Sequence, residues 1–295
     1  MRSWVLSLLA FSFLFIGANS FAQELQAPVP VPDGFRANRR SYSAIMDVLD
    51  SQRTTVTQAQ LDQLKTLQIE KIWGALGDYK VNYVRGFTST QPGTRLVGRA
   101  LTMRFLPPRP DFVDAVDTLA KEGDWDRRYY ARAAEEAQPS DVIVADLGGY
   151  DGHNLFGDMG ALGIKLRGAS GVVIDGGSRD LRELQGDDFA DFPVFARFFD
   201  VHTTSWLGAD WNTPIRFGTV TVLPGDIVVA EEEGILFFPA HLVETILEQA
   251  AVGDLSEDYQ RELLRSRDHR FRDVYPLSPE LRQQYERRSR TPPNP

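Results

Sequence analysis

The chain has 295 residues, 42% of them hydrophobic and 25% charged, which excludes wholesale disorder and leaves ample length for a real core. A formal charge of −9 offers no attraction to phosphate backbones, so nucleic acid is not an expected partner. The absence of cysteine removes disulfides, thiolate nucleophiles and cysteine-based metal centres.

Arg2, the apolar run Trp4 to Gly17 and the small residues Ser20 and Ala22 read as a secretory signal peptide over 1–22. The run is shorter than the about 20 apolar residues that a membrane anchor needs. The expectation is therefore an exported protein, periplasmic or secreted, with no membrane association after cleavage. The mature chain would carry 31 basic against 41 acidic residues, a charge of −10. Pro28, Pro30 and Pro32 mark an extended lead-in, placed over 23–56.

The main domain is placed over 57–251. Thr57 reads as the N-cap of a helix carrying Leu61, Leu64, Leu67, Ile69, Ile72 and Leu76. Arg95 to Phe105 reads as a strand ended by Pro107, Pro108 and Pro110, and Asp111 to Ala137 as polar and helix-favouring. Val142 to Asp146 is a short buried strand closed by Gly148-Gly149. Further strands are read at 194–198, 220–222, 226–230 and 234–239, with Leu223-Pro224-Gly225 as a turn. A helix follows from His241 to Ala251, and 252–295 forms a charged, helix-like arm with a disordered tail at Thr291 to Pro295. Short strands interleaved with helices predict one mixed α/β domain with helical arms at both ends.

The chemistry concentrates at Gly157-Asp158 and Arg179-Asp180. Small residues at Gly157, Gly160 and Gly163 stand where a helix should begin, and a helix N-terminus attracts anions. A helix and a glycine-bounded apolar strand, Gly171 to Ser178, then deliver Arg179-Asp180 beyond the strand's C-terminal end, where open α/β sheets place ligand chemistry. Asp158 and Asp180 supply hard oxygens of the kind Mg²⁺ prefers, and Arg179 supplies a planar fork for a carboxylate. An isolated Arg-Asp pair is ordinarily a surface salt bridge; the flanking segments shift this one toward a metal-and-anion site suited to a small α-keto acid.

A Gly-Asp pair, 20 residues and an Arg-Asp pair together resemble the signature of the RraA-like family, which includes the class II pyruvate aldolases acting on 4-hydroxy-4-methyl-2-oxoglutarate and 4-carboxy-4-hydroxy-2-oxoadipate. Val97 to Thr102, Asp141 to Asp146, and Leu223 to Ala230 with Glu233-Gly234-Ile235 resemble the family's flanking strands, from about Thr57 to about Ala251. The resemblance implies a three-layer β/β/α swivelling-type domain that assembles as a homotrimer or homohexamer. It implies Asp180 as the direct ligand of Mg²⁺ or Mn²⁺, Asp158 as holder of water near that cation, and Arg179 as the substrate and enolate clamp. Gly157, Asp158, Met159 and Gly160 would line a small oxo-acid substrate, with backbone amides contacting it. The family's glutamate from a neighbouring subunit has Glu257 and Glu262 as candidates here. The implied activity is cleavage of a 4-hydroxy-2-oxo acid to pyruvate, with oxaloacetate decarboxylation as a side activity. The competing expectation is a non-catalytic, RraA-like binding or regulatory protein.

Other residues carry less. His153, His202, His241 and His269 lack the spacing of a zinc hydrolase, and Gly148 to Gly152 fits neither a dinucleotide nor a P-loop pattern. Asp175 reads as a turn cap, Glu231 to Glu233 as a solvated turn, and Trp206 and Trp211 as packing residues.

Overall fold

The computed structural model describes residues 42–149, 154–203 and 205–290. The expected signal peptide, the prolines of the lead-in, His153 and the Thr291 to Pro295 tail lie outside them. The chain divides into two units, Met1–Ser51 and Gln52–Pro295. In the first, part of the expected extended lead-in is instead helical: α1 spans Tyr42–Asp50. Ile45, Val48 and Leu49 have helical spacing there and no proline interrupts them.

The second unit opens with α2 (Gln58–Thr66), capped as expected by Thr57. The Thr57 hydroxyl accepts the Gln60 N–H, and the Gln60 side chain accepts the Thr57 N–H. In chain order there follow α3 (Ile69–Ala75), β1 (Tyr83–Val84), β2 (Thr88–Ser89), β3 (Leu96–Leu106), α4 (Pro110–Lys121), α5 (Ala131–Glu136) and β4 (Asp141–Asp146). Next come α6 (Asp158–Leu166), β5 (Gly171–Ser178), α7 (Leu181–Leu184), β6 (Val194–Phe199), β7 (Leu207–Trp211), β8 (Ile215–Phe217) and β9 (Val220–Val222). The unit closes with β10 (Ile227–Glu231), β11 (Gly234–Phe238), α8 (Val243–Ser266), α9 (Phe271–Val274) and α10 (Pro279–Arg290).

Among the described residues the main sheet has nine strands in the order β1-β11-β10-β3-β4-β5-β6-β2, with β7 also paired to β3. Its centre, β3 to β6, is parallel, and the remaining pairings are antiparallel. Alternation along β3 separates two interiors. Leu96 and Ala100 join Val144 and Val173 beneath the β8-β9 hairpin, where Phe217 and Val222 are buried. Met103 faces the other way, with Ala133 of α5 and Ala161 and Ile164 of α6. On that same face Val97, Val229 and Phe238 pack against α2, α3 and the start of α8. Hairpin, sheet and helices therefore form the expected β/β/α layers.

Two sequence readings change. The sequence reading ends the helix that starts at His241 at Ala251, but α8 continues to Ser266. An internal glycine costs a helix only about 1 kcal/mol, and Glu257 ties the extension to Lys71 of α3 at 3.2 Å. The acidic run at 231–233 is more than a solvated turn. Glu231 pairs with Arg95 at 2.6 Å, and Glu232 accepts the Gly93 N–H.

Candidate active site

The site lies beyond the C-terminal end of β5, the middle of the parallel strands, where the next segment leaves the sheet. Ser178, the last residue of β5, donates its hydroxyl to the Phe156 carbonyl at 2.9 Å, and the Arg179 N–H reaches the same carbonyl at 3.2 Å. The Leu155 N–H donates to the Gly177 carbonyl at 2.8 Å. Three bonds thus fasten the segment entering α6 to the end of β5, although 20 residues separate Asp158 from Arg179.

Asp180 adopts the left-handed conformation, φ 56° and ψ 41°, which is costly for a non-glycine residue and turns its side chain back toward α6. Its Oδ2 accepts the Asp158 N–H at 3.3 Å and lies 3.4 Å from Arg179 Nε. Gly157 makes this approach possible. A Cβ at position 157 would fall inside the Asp180 carboxylate. Glycine is required here by close approach, since its own φ of −119° is ordinary.

Arg179, Asp180 and the Asp158 backbone N–H therefore meet, with buried Gly157 packed against the Asp180 carboxylate. The Arg179 and Asp180 side chains are 36% and 38% exposed, so ligand can reach both. The Asp158 carboxylate accepts the Met159 N–H at 2.8 Å. Two of the amides expected to meet substrate, those of Asp158 and Met159, are thus engaged by the chain's own carboxylates. Such local acceptors satisfy the orphan N–H groups of a helix start. The Met159 side chain stands out into solvent. Gly160 has a packing reason beside any contact with substrate: a Cβ there would press on the Phe156 side chain at 2.9 Å.

Glu257 and Glu262 are engaged elsewhere. Glu257 binds Lys71 and Arg261, and Glu262 binds Arg288. Among the described residues no group of three His, Asp or Glu side chains gathers at one point. The site's own oxygen donors are the carboxylates of Asp158 and Asp180.

Sequence reasoning missed the wall facing Arg179. Its Nη1 donates to Thr203 Oγ1 at 3.0 Å. The turn carrying Thr203 is held by Asn154, which is fully buried and donates Nδ2 to the Asp200 carbonyl at 2.9 Å. Neither residue lies in a periodic segment or a motif, so local pattern gave no signal for them.

A second charged row lies beside the site, on the hairpin side of the sheet. Asp175 of β5 accepts from Arg197 Nε and from the Gly218 N–H, both at 2.8 Å. Arg197 Nη1 in turn donates to the Arg85 carbonyl at 2.7 Å. Asp175 thus ties β5 to β6 and to the β8-β9 turn, a larger role than the turn cap expected. On β4, burial pushes the Asp146 carboxyl above the usual range, opposed by the Gly148 N–H. Nearby Asp175 adds to the upward push, while Arg216 and Arg104 oppose it.

Comparison with known proteins identifies the family. The RraA-like family model, described as Aldolase/RraA, matches residues 46–237, more than half of the chain. The chain belongs to the RraA-like family. It is 30% identical over 200 residues to a Halalkalibacterium halodurans protein named "Putative 4-hydroxy-4-methyl-2-oxoglutarate aldolase", a match covering 66% of this chain and 85% of the relative. An Ectopseudomonas mendocina protein of the same name is 35% identical over 102 residues, 34% of this chain and 61% of its own. Among solved structures, Streptomyces coelicolor RraAS2, described as an unusual member of the RNase ES inhibitor RraA protein family, superposes with a TM-score of 0.59. That match covers 70% of this chain and 99% of RraAS2 at 24% identity, and so speaks for the shared fold alone. The RraA-like assignment agrees with the mixed α/β fold described above.

Proposed function

We propose that this RraA-like protein is a divalent-cation-dependent carbon–carbon lyase. Its substrate would be a 4-hydroxy-2-oxo acid resembling 4-hydroxy-4-methyl-2-oxoglutarate, cleaved to pyruvate, with oxaloacetate decarboxylation as a related activity. The observation that carries the reading is the Asp180 carboxylate folded back on the Asp158 amide with Arg179 alongside. The aldolase names of its relatives support the same class.

The donor set fits a Mg²⁺ or Mn²⁺ ion. Asp180 would hold it directly, since one carboxylate oxygen is engaged within the chain and the group is reachable from solvent. Asp158 would hold water beside it. Mg²⁺ commonly binds through one or two carboxylates, with the rest of its shell water and substrate. When bound, such an ion supplies Lewis acidity at the keto oxygen.

The chain's own residues do the rest. Arg179 binds the substrate carboxylate as a charged fork and shares the negative charge that develops on the keto acid. The C4 hydroxyl loses its proton to water oriented by Asp158, C4 becomes a carbonyl, and the C3–C4 bond breaks. The electron pair is left on the enolate of pyruvate, and a proton returning to C3 completes the product. In oxaloacetate C4 is a carboxylate, so breaking the same C3–C4 bond releases CO₂ and leaves the same enolate.

Export through Met1 to Ala22 and assembly as a trimer or hexamer belong to the same reading. The deciding experiment is pyruvate release from a panel of oxo acids, oxaloacetate included, with Mg²⁺ and with chelator. Release that stops on chelation supports the lyase. Calorimetric binding of oxo acids without turnover would support the non-catalytic alternative.

A further inference from the structure

We propose that Thr203 is a positioning residue for Arg179, held in place by the buried side chain of Asn154. The inference rests on the lyase reading for its substrate, but its geometry stands apart from it.

A solvent-accessible arginine ordinarily samples many rotamers, and ordering it has an entropic cost. Arg179 has one side-chain hydrogen bond to orient it and one looser ion pair beside it. Nε faces Asp180 Oδ2 at 3.4 Å, and Nη1 donates to Thr203 Oγ1 at 3.0 Å. A guanidinium carries five N–H donors in one plane. With one hydrogen of Nη1 donated to Thr203 and Nε facing Asp180, the other hydrogen of Nη1 and both of Nη2 remain. Those on the two Nη atoms form the fork that receives a carboxylate bidentately. Thr203 thus sets the plane of the clamp without touching the ligand.

Thr203 is itself exposed, so its own position needs explaining. The turn it ends is tied down at successive points. The Asp200 N–H donates to the Ser178 carbonyl at 3.0 Å. The Asp200 carbonyl accepts from Asn154 Nδ2 at 2.9 Å. The Asp200 carboxylate accepts the His202 N–H at 2.9 Å and meets the His202 ring at 2.6 Å. The backbone of Asn154 makes parallel bridges both to Gly177 and to Thr203. Asn154 therefore links the end of β5 to the residue that grips Arg179. Its Oδ1 is buried with no hydrogen-bond partner among the described residues, an unfavourable placement for a polar atom. An apolar residue could fill the space but could not supply the Nδ2 donor, and this favours a bracing role.

The test compares Thr203→Val, which keeps the shape and removes the acceptor, with Thr203→Ser, which keeps the acceptor. The first readout needs no turnover: the rate at which phenylglyoxal modifies Arg179, followed by peptide mass spectrometry with exposed Arg182 as internal reference. Thr203→Val is expected to speed modification at Arg179 by about threefold or more relative to Arg182, and Thr203→Ser to leave the ratio at the wild-type value. The second readout is oxo-acid kinetics. In Thr203→Val, KM is expected to rise about tenfold while kcat falls less than threefold, because a substrate-binding group is loosened. Asn154→Ala should move both readouts in the same direction. Unchanged Arg179 reactivity in Thr203→Val would overturn the proposal, and so would a loosened Arg179 with unaltered KM. Should wild-type protein release pyruvate from no oxo acid, the lyase reading falls, and the arginine-modification result alone then decides whether Thr203 holds the clamp.

Discussion

Two arginine–aspartate pairs stand at the end of β5, and they do opposite things. Asp175, within the strand, is 2% exposed and meets Arg197 at 2.8 Å with a backbone N–H as second donor. Asp180, just beyond the strand, is 38% exposed and meets Arg179 at only 3.4 Å. The first pair has good geometry and little access, and it joins three elements. The second has loose geometry and open access, so its charges remain available to something outside the chain. Residue type alone does not separate brace from site; burial and unsatisfied bonding capacity do.

The largest expected effect tests the open pair. Asp180→Ala and Arg179→Ala should each lower pyruvate release by about a thousandfold or more, as loss of a charge aimed at the reacting centre does. Thermal unfolding of Arg179→Ala should stay near wild type, because an exposed pair adds little to stability. Wild-type-like turnover in either variant would show the site to be misassigned. Asp175→Ala makes the reverse experiment. It leaves Arg197 without its carboxylate and should destabilise the fold by about 3–5 kcal/mol in urea titration. A loss of activity without loss of stability there would erase the distinction between the pairs.

A third carboxylate sharpens the contrast by titration. Burial pushes Asp226 up to about 6, opposed by its bond from the Leu223 N–H and by nearby Arg53. The folded state therefore holds this proton more tightly than the unfolded chain does. Its stabilising effect is complete below about pH 4 and is lost as pH rises through 6, a change of about 3 kcal/mol. Asp226→Asn should remove that part of the pH dependence, read as the difference between variant and wild-type urea midpoints at pH 4.5 and pH 7. The smallest effect belongs to the surface. Arg128 and Asp126 bond at 2.8 Å with the arginine 74% exposed, and Arg128→Ala should leave the melting temperature unchanged within error.

Much of this was legible in the sequence because local signals agreed with the fold. Thr57 and Gln60 announced a helix start that the structure builds as a capping box. The apolar runs at 142–146 and 171–178 announced buried strands, and both are parallel strands of the sheet centre. Gly157 and Asp180 were legible as residue types at a spacing. That the glycine exists to admit that particular carboxylate is a tertiary fact. Thr203 and Asn154 were not legible at all, since their roles arise where separate loops meet. The end of α8 was misplaced because the stretch after Ala251 reads as a charged arm, whereas Tyr259 and Leu263 pack on Val274, Leu277 and Leu281 and Glu257 pairs with Lys71.

That long helix has a practical corollary. Its first turns, Val243, Ile246 and Ala250, sit in the interior over the sheet, while Tyr259 and Leu263 near its far end contact a separate small cluster of Val274, Leu277 and Leu281. A single rod thus carries two sockets, one at either end. Trimming the chain at residue 251 to make a minimal domain would saw through the rod, strip Lys71 of its Glu257 partner and leave a frayed stump over the sheet.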